Sequence, residues 1–326
     1  MAEPTRLSRF QGCLLGGAVG DALAKPAQFC DPDDLAARYG RITEFGRSDD
    51  YLYWLLPEQW SDDTFLVLIF AESIVAQGRL DMADVSQRLV AWRRGGDVRG
   101  IDMDVDNAIQ MLAGGWDWRQ TGREGERAGR NNPTVRATPL GLLHSSSLLT
   151  DPDALREDAH SSTIFSHNHP EAVAGATAVA YAVARLAAGL PPAELTRLLP
   201  ETAAFIGVGK VAATLGVVAE LLASNTPPSA ALAEIGTGGY AWQAVGTAFY
   251  CFLHDPSDFE ATVVNAVMGG NDADTNASIA ASLSGAHNGL AAIPSRWQHE
   301  IDEGEKLLRV AGLLAEMAGS PPPTAP

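Results

Sequence analysis

Apolar residues recur at three- and four-residue spacing along most of this chain, and the alternation that marks a β-strand is scarce. The stretch PEAVAGATAVAYAVARLAAG, Pro170 to Gly189, opens with proline in its first turn, carries Glu171 next and ends on glycine, the usual order of helix signals. Val211 to Ala223, Thr64 to Gln77, Met82 to Trp92 and Asn276 to Gly289 read the same way. The best strand candidate, GRITEF at 40–45, is short. Alanine and glycine crowd the helical faces, which lets helices approach closely. The pattern predicts an all-α bundle of roughly ten or more helices. No repeat with a period of about 20–50 residues is visible, which excludes a solenoid.

No internal linker divides the 326 residues, so one domain over 1–318 is expected, followed by a disordered proline-rich tail, GSPPPTAP, at 319–326. The net charge of −17, from 40 acids against 23 bases, argues against a nucleic-acid backbone or an anionic membrane as the main partner. Cys13, Cys30 and Cys251 form neither a disulfide framework nor a zinc ribbon. No signal-peptide pattern and no long uncharged apolar run occur, so a cytoplasmic protein without a membrane span is expected.

The most unusual local chemistry is WSDDTFLVLIF, Trp60 to Phe70. Asp62 and Asp63 stand side by side between Ser61 and Thr64, just ahead of an apolar helix. Ser61 or Asp62 could simply cap that helix. Far along the chain, GGNDADTNASIAASLSGAHNG repeats the pattern: Asp272, Asp274 and Thr275 precede a helix of small residues, after a Gly-Gly-Asn turn suited to positive φ. Capping must then be invoked twice, each time with a surplus acid. Four carboxylates and hydroxyls at two helix starts suit hard cations such as Mg²⁺ or Mn²⁺, which prefer oxygen ligands.

Four segments in order, GCLLGGAVGDALAKPAQF, WSDDT, SHNHPEAVAGA and GGNDADTNASIAASLSGA, resemble the ADP-ribosylglycohydrolase family. The likeness covers roughly residues 9–315. It implies a compact orthogonal multi-helix bundle with a cleft holding two Mg²⁺ or Mn²⁺ ions. It places Ser61, Asp62, Asp63, Asp272, Asp274 and Thr275 on the metals, and Asp62 and Asp274 also in the catalytic set. The family's Gly-Asp-Ala-Leu loop falls on Gly20 to Leu23 and brings in Asp21. GRNNPTVRATPLGL matches a substrate-cleft loop and puts Asn131, Asn132 and Arg136 near the ligand. The SHNHPEA segment matches a family helix start through His167 and His169, and the resemblance sets His167 among the substrate-binding residues.

The activity so implied is metal-dependent hydrolysis of the bond between ADP-ribose and an acceptor: a protein side chain, a modified nucleic acid or a small molecule. An oxocarbenium-like transition state of this kind needs a free carboxylate to move a proton, and backbone N–H groups at helix starts suit the diphosphate. The chain departs from the family at KPAQF, where many relatives carry a glutamate and this one has Gln28. An amide cannot be a general base. Asp21 or the triplet Asp102, Asp104 and Asp106 could supply the missing acid, and Asp102 and Asp104 could read a guanidinium. The alternative is a repurposed enzyme with the same metal site, acting on another nucleoside, glycoside or guanidine-containing metabolite or peptide. A histidine-based zinc site is not expected, because no third and fourth ligand stands at a suitable spacing beside His167 and His169.

Overall fold

The computed structural model describes residues 3–49 and 52–319. Among them are seventeen α-helices, short 3₁₀ turns and no β-strand, only two isolated bridges. GRITEF is not a strand: Ile42 is buried in the core, yet the segment bends and pairs with no ladder among the described residues. Residues 320–326 of the expected tail lie outside the described residues, and Gly319 ends the last helix, Gly304–Gly319.

Two antiparallel helices form the spine. Arg6–Ala24 packs along Ala273–Asn288 more extensively than any other helix pair packs. Their contact consists of small residues. A Cβ added to Gly12 would lie 2.5 Å from Gly285 O, one on Gly16 2.9 Å from Ala281 O, and one on Gly20 2.3 Å from Ala277 O. The backbones therefore touch where glycine omits a side chain, and dispersion contacts replace the usual interdigitation. This close approach fixes the C-terminal end of the first helix, with Asp21, beside the N-terminal start of the other, with Asp274.

The second acid-bearing helix, Asp62–Gln77, starts three residues before its apolar run, which opens at Phe65. Ser61 caps it, its Oγ accepting from Asp63 N at 3.2 Å, and Gly78 in the left-handed conformation ends it. The helix of the second cluster likewise begins early, at Ala273, so Asp274 and Thr275 fall in its first turn. The turn before it has positive φ at Gly270 (+61°) and Asn271 (+53°). A Cβ on Gly270 would meet Cys30 O at 2.3 Å, so glycine is required there. One contiguous apolar core runs from Phe10 to Ala318 and includes fully buried Trp60 and Trp297.

Candidate active site

The two acidic helix starts meet. Thr275 Oγ1 donates to Asp63 Oδ2 at 2.6 Å, across 212 positions of sequence. Asp62, Asp63, Asp272, Asp274 and Thr275 line a cavity of about 80 Å³ together with Gln28, Phe29, Asp102, Arg130, Asn131 and Asn132. A larger cavity of about 790 Å³, bounded by Arg156, His160, His169 and Phe205, contains none of the four aspartates. Charge density rather than volume therefore singles out the smaller one.

Each carboxylate is aimed by a neutral donor. Asn132 Nδ2 donates to Asp63 Oδ1 at 3.2 Å, and Asn131 Nδ2 to Asp272 Oδ2 at 2.7 Å. Asp102 N donates to Asp62 Oδ2 at 3.2 Å. Gln28 holds the other acidic turn with both ends of its amide: Nε2 donates to Asp272 Oδ1 at 2.9 Å, and Oε1 accepts from Asp274 N at 3.1 Å. The loop is docked for this by Phe29 N donating to Asn271 O (2.6 Å) and Asn271 N donating to Cys30 O (2.8 Å). Phe29 itself has φ +60° and is 65% exposed at the rim.

Several sequence candidates lie outside the cavity. Asp21 is fully buried, and its carboxylate accepts from Ser61 N, Thr64 N and Thr64 Oγ1, the last at 2.6 Å. It ties the end of the first helix to the start of the Asp62 helix. Ser61 spends its hydroxyl on the cap. Arg136 is fully buried. It donates to Asn132 Oδ1, to Ser162 O at 3.1 Å and to Ser166 Oγ at 2.6 Å, and thereby orients Asn132 rather than facing the cavity. Asp104 pairs with Arg123 at 2.8 Å, and Asp106 with Arg93. Asp102 caps the Met103–Ala113 helix through Asp104 N (2.8 Å) and Val105 N (3.1 Å), yet also reaches the cavity.

The two histidines separate. His169 caps Pro170–Ala187, its Nδ1 accepting from Glu171 N at 3.1 Å. His167 is buried, and its ring approaches both Asp102 and Asp104. Asp102, Asp104 and His167 thus form a possible metal-binding group that sequence spacing did not reveal, because more than sixty residues separate the acids from the histidine.

The site carries excess negative charge. Burial, reinforced by Asp63, pushes the Asp62 carboxyl well above the usual carboxylate range. Burial and then Asp21 do the same to Asp63; burial and then Asp272 do so to Asp274. Burial also raises Asp102. Burial pulls Arg136 down to about 9 against the pull of Asp102, Asp63 and Asp62. Burial, aided by Arg136, holds His167 well below the ordinary histidine range, so its ring is neutral. Like charges gathered in a dry place without a compensating cation are costly.

Residues 2–323 match the family model described as ADP-ribosylglycohydrolase. The "ADP-ribosylarginine hydrolase Tri1" of Serratia proteamaculans is 26% identical over 97% of this chain and 81% of its own. The "ADP-ribosyl-[dinitrogen reductase] glycohydrolase" of Rhodospirillum rubrum is 26% identical over 97% and 98%. A solved structure titled "ADP-ribosylglycohydrolase-related protein complex" superposes with a TM-score of 0.78 at 27% identity, covering 96% of this chain and 99% of that one.

Proposed function

The chain belongs to the ADP-ribosylglycohydrolase family, and from that premise we propose that it hydrolyses the glycosidic bond between ADP-ribose and an acceptor, with a pair of Mg²⁺ or Mn²⁺ ions as cofactor. The observation that carries this reading is the meeting of the two acid clusters through Thr275 and Asp63 in one lined cavity. The donor set fits the cofactor. Four carboxylates and the Thr275 hydroxyl offer oxygen only, the preference of hard divalent ions, and burial with mutual repulsion raises the proton affinity of Asp62, Asp63 and Asp274, a cost that a bound cation would offset. Asp62, Asp63, Asp272, Asp274 and Thr275 would hold the ions, while Ser61 caps the helix that presents Asp62 and Asp63. When bound, the ions supply charge that orients sugar hydroxyls and acidifies water.

The remaining residues aim and balance this set. Asn131 and Gln28 fix the Asp272 carboxylate, Asn132 fixes that of Asp63, and Arg136 fixes Asn132. Proton transfer falls to Asp102 in this reading. It lines the cavity, its side chain is 22% exposed and its helix cap is made through Oδ1, whereas Asp21, Asp104 and Asp106 lie outside the cavity on other donors. Asp102 also stands where a cationic acceptor such as a guanidinium would be read. Three free cysteines suit the reducing, cytoplasmic location we propose.

A second reading rests on Gln28. Its amide occupies the place of a family glutamate and is engaged at both ends, which favours a repurposed site acting on another nucleoside, glycoside or guanidine-containing compound. One assay separates the two: incubation with ADP-ribosylated arginine, serine and nucleobase, with and without Mg²⁺ or Mn²⁺, and detection of free ADP-ribose. Release that depends on the metal supports the first reading. No release from any substrate by the metal-loaded protein overturns it in favour of the second.

A further inference from the structure

His167 is fully buried, and its Nε2 has no hydrogen-bond partner. Nearly all buried polar atoms have one, so an orphan of this kind calls for a missing partner. The atom points at two carboxylates, 3.9 Å from Asp102 Oδ1 and 3.8 Å from Asp104 Oδ2. Those separations are too long for hydrogen bonds. Two ligands about 2.1 Å from one cation lie roughly 3.0–3.4 Å apart at octahedral or tetrahedral angles, so the ring and the two carboxylates need close by only about half an ångström to share an ion.

The surroundings hold the ring for this role. His167 Nδ1 lies 2.9 Å from Ser166 Oγ, which also accepts from Arg136 Nη2 at 2.6 Å. A fixed bond at one ring nitrogen is what orients a ligating histidine through the other. Arg123 N donates to Ser166 O at 2.9 Å, and Asn168 N to Arg123 O at 2.8 Å, which pins the backbone on both sides of the ring. The Arg123 guanidinium, 40% exposed, binds Asp104 and leaves it further lone pairs, as a carboxylate has about four acceptor positions. Asp102 opens on the four-aspartate cavity, and Asp104 on a separate cavity of about 310 Å³ beside Met111 and Thr121.

We propose that Asp102, Asp104 and His167 form a separate cation site, beside the four-aspartate centre, for a divalent ion with nitrogen affinity such as Zn²⁺, with Mn²⁺ as its spectroscopic probe. Imidazole favours such ions over Mg²⁺, which prefers oxygen alone. Binding there does not depend on the glycohydrolase reading. One consequence does rest on it: a cation at this site withdraws Asp102 from proton transfer, so loading should slow turnover.

The test is pulsed electron paramagnetic resonance of the Mn²⁺-loaded full chain, with the bound ions counted by elemental analysis. The four-aspartate centre offers only oxygen as ligand, so the strong coupling of a directly bound imidazole ¹⁴N reports this site alone. The wild type should show that coupling. Asp274→Ala should keep it, while His167→Gln should lose it together with about one bound ion per chain. Asp104→Asn, which leaves the buried ring in place, should weaken Mn²⁺ binding at this site at least tenfold and guards against misfolding of the histidine variant. Oxygen-only coordination in the wild type, or a ¹⁴N coupling that survives both His167→Gln and Asp104→Asn, overturns the proposal. Because the readout is a bound ion, neither result depends on the glycosidic substrate.

Discussion

Gln28 Nε2 donates to Asp272 Oδ1 at 2.9 Å, while the same amide accepts from Asp274 N at 3.1 Å. Only a side chain with both a donor and an acceptor can make this pair of bonds. A glutamate would keep the bond from Asp274 N but would set a second carboxylate against Asp272. Gln28→Glu should therefore destabilise the metal-free protein by about 1–3 kcal/mol, the cost of an unpaired or repelled buried group. Saturating Mn²⁺ should restore the loss, because the added charge gains a counter-ion. Thermal unfolding with and without Mn²⁺ checks this. On ADP-ribosylated substrate at matched metal, the variant should keep or raise turnover; loss of all activity with metal bound would instead support the repurposed reading.

Asp274→Ala is expected to lose metal and activity while the fold survives. The Asp274 carboxylate is strained by burial and by Asp272 and Asp63, so its removal relieves repulsion. The bond it accepts, from Thr275 N at 2.7 Å, is local to one helix turn. The metal-free variant should unfold at or above the wild-type temperature. Wild-type metal content in the variant would show that Asp274 is not a ligand.

Metal binding should release protons. Asp62, Asp63 and Asp274 have folded affinities for protons raised above the ordinary carboxylate range. For acids the sign follows directly: the metal-free folded state holds protons that the unfolded chain has already lost, so its stability falls as pH rises through the raised values. A cation displaces those protons, so its affinity grows with pH over that same window. Calorimetry of Mg²⁺ or Mn²⁺ binding in two buffers of different ionisation enthalpy counts the protons. Zero release across pH 5–8 would mean that the carboxylates are already ionised.

The helices were legible because local signals set them. Proline and Glu171 mark Pro170–Ala187, and Ser61 caps Asp62–Gln77. The Gly-Gly-Asn turn has the positive φ its composition requires. Both helix starts began two to three residues before their apolar runs, since polar first-turn residues carry no periodicity. Pairing across the fold was not legible. The His167 group joins residues whose separation has no motif, and Arg136 was placed near ligand although its charge is fully spent on Asn132 and the Ser162–Ser166 segment. GRITEF looked like a strand because Ile42 is a core residue, which strand and loop positions share.

Asp21 offers a test that separates positioning from proton transfer. Three donors of the Ser61–Thr64 segment converge on its carboxylate, which caps the helix carrying Asp62 and Asp63 from outside that helix. Asp21→Asn keeps the shape but turns an NH₂ group toward at least one of those donors. Hydrogen bonds to a charged acceptor contribute about 1.5–3 kcal/mol each, so the variant should lose roughly 2–4 kcal/mol of stability. With the helix start loosened, Asp62 and Asp63 would be misplaced, and metal affinity should drop alongside kcat. A residue that only moved protons would behave differently: stability and metal affinity would hold, and one limb of the pH profile of kcat would flatten. Denaturant unfolding, metal titration and the pH profile of one variant therefore decide between the roles. The burial of Asp21 and its three donors favour positioning.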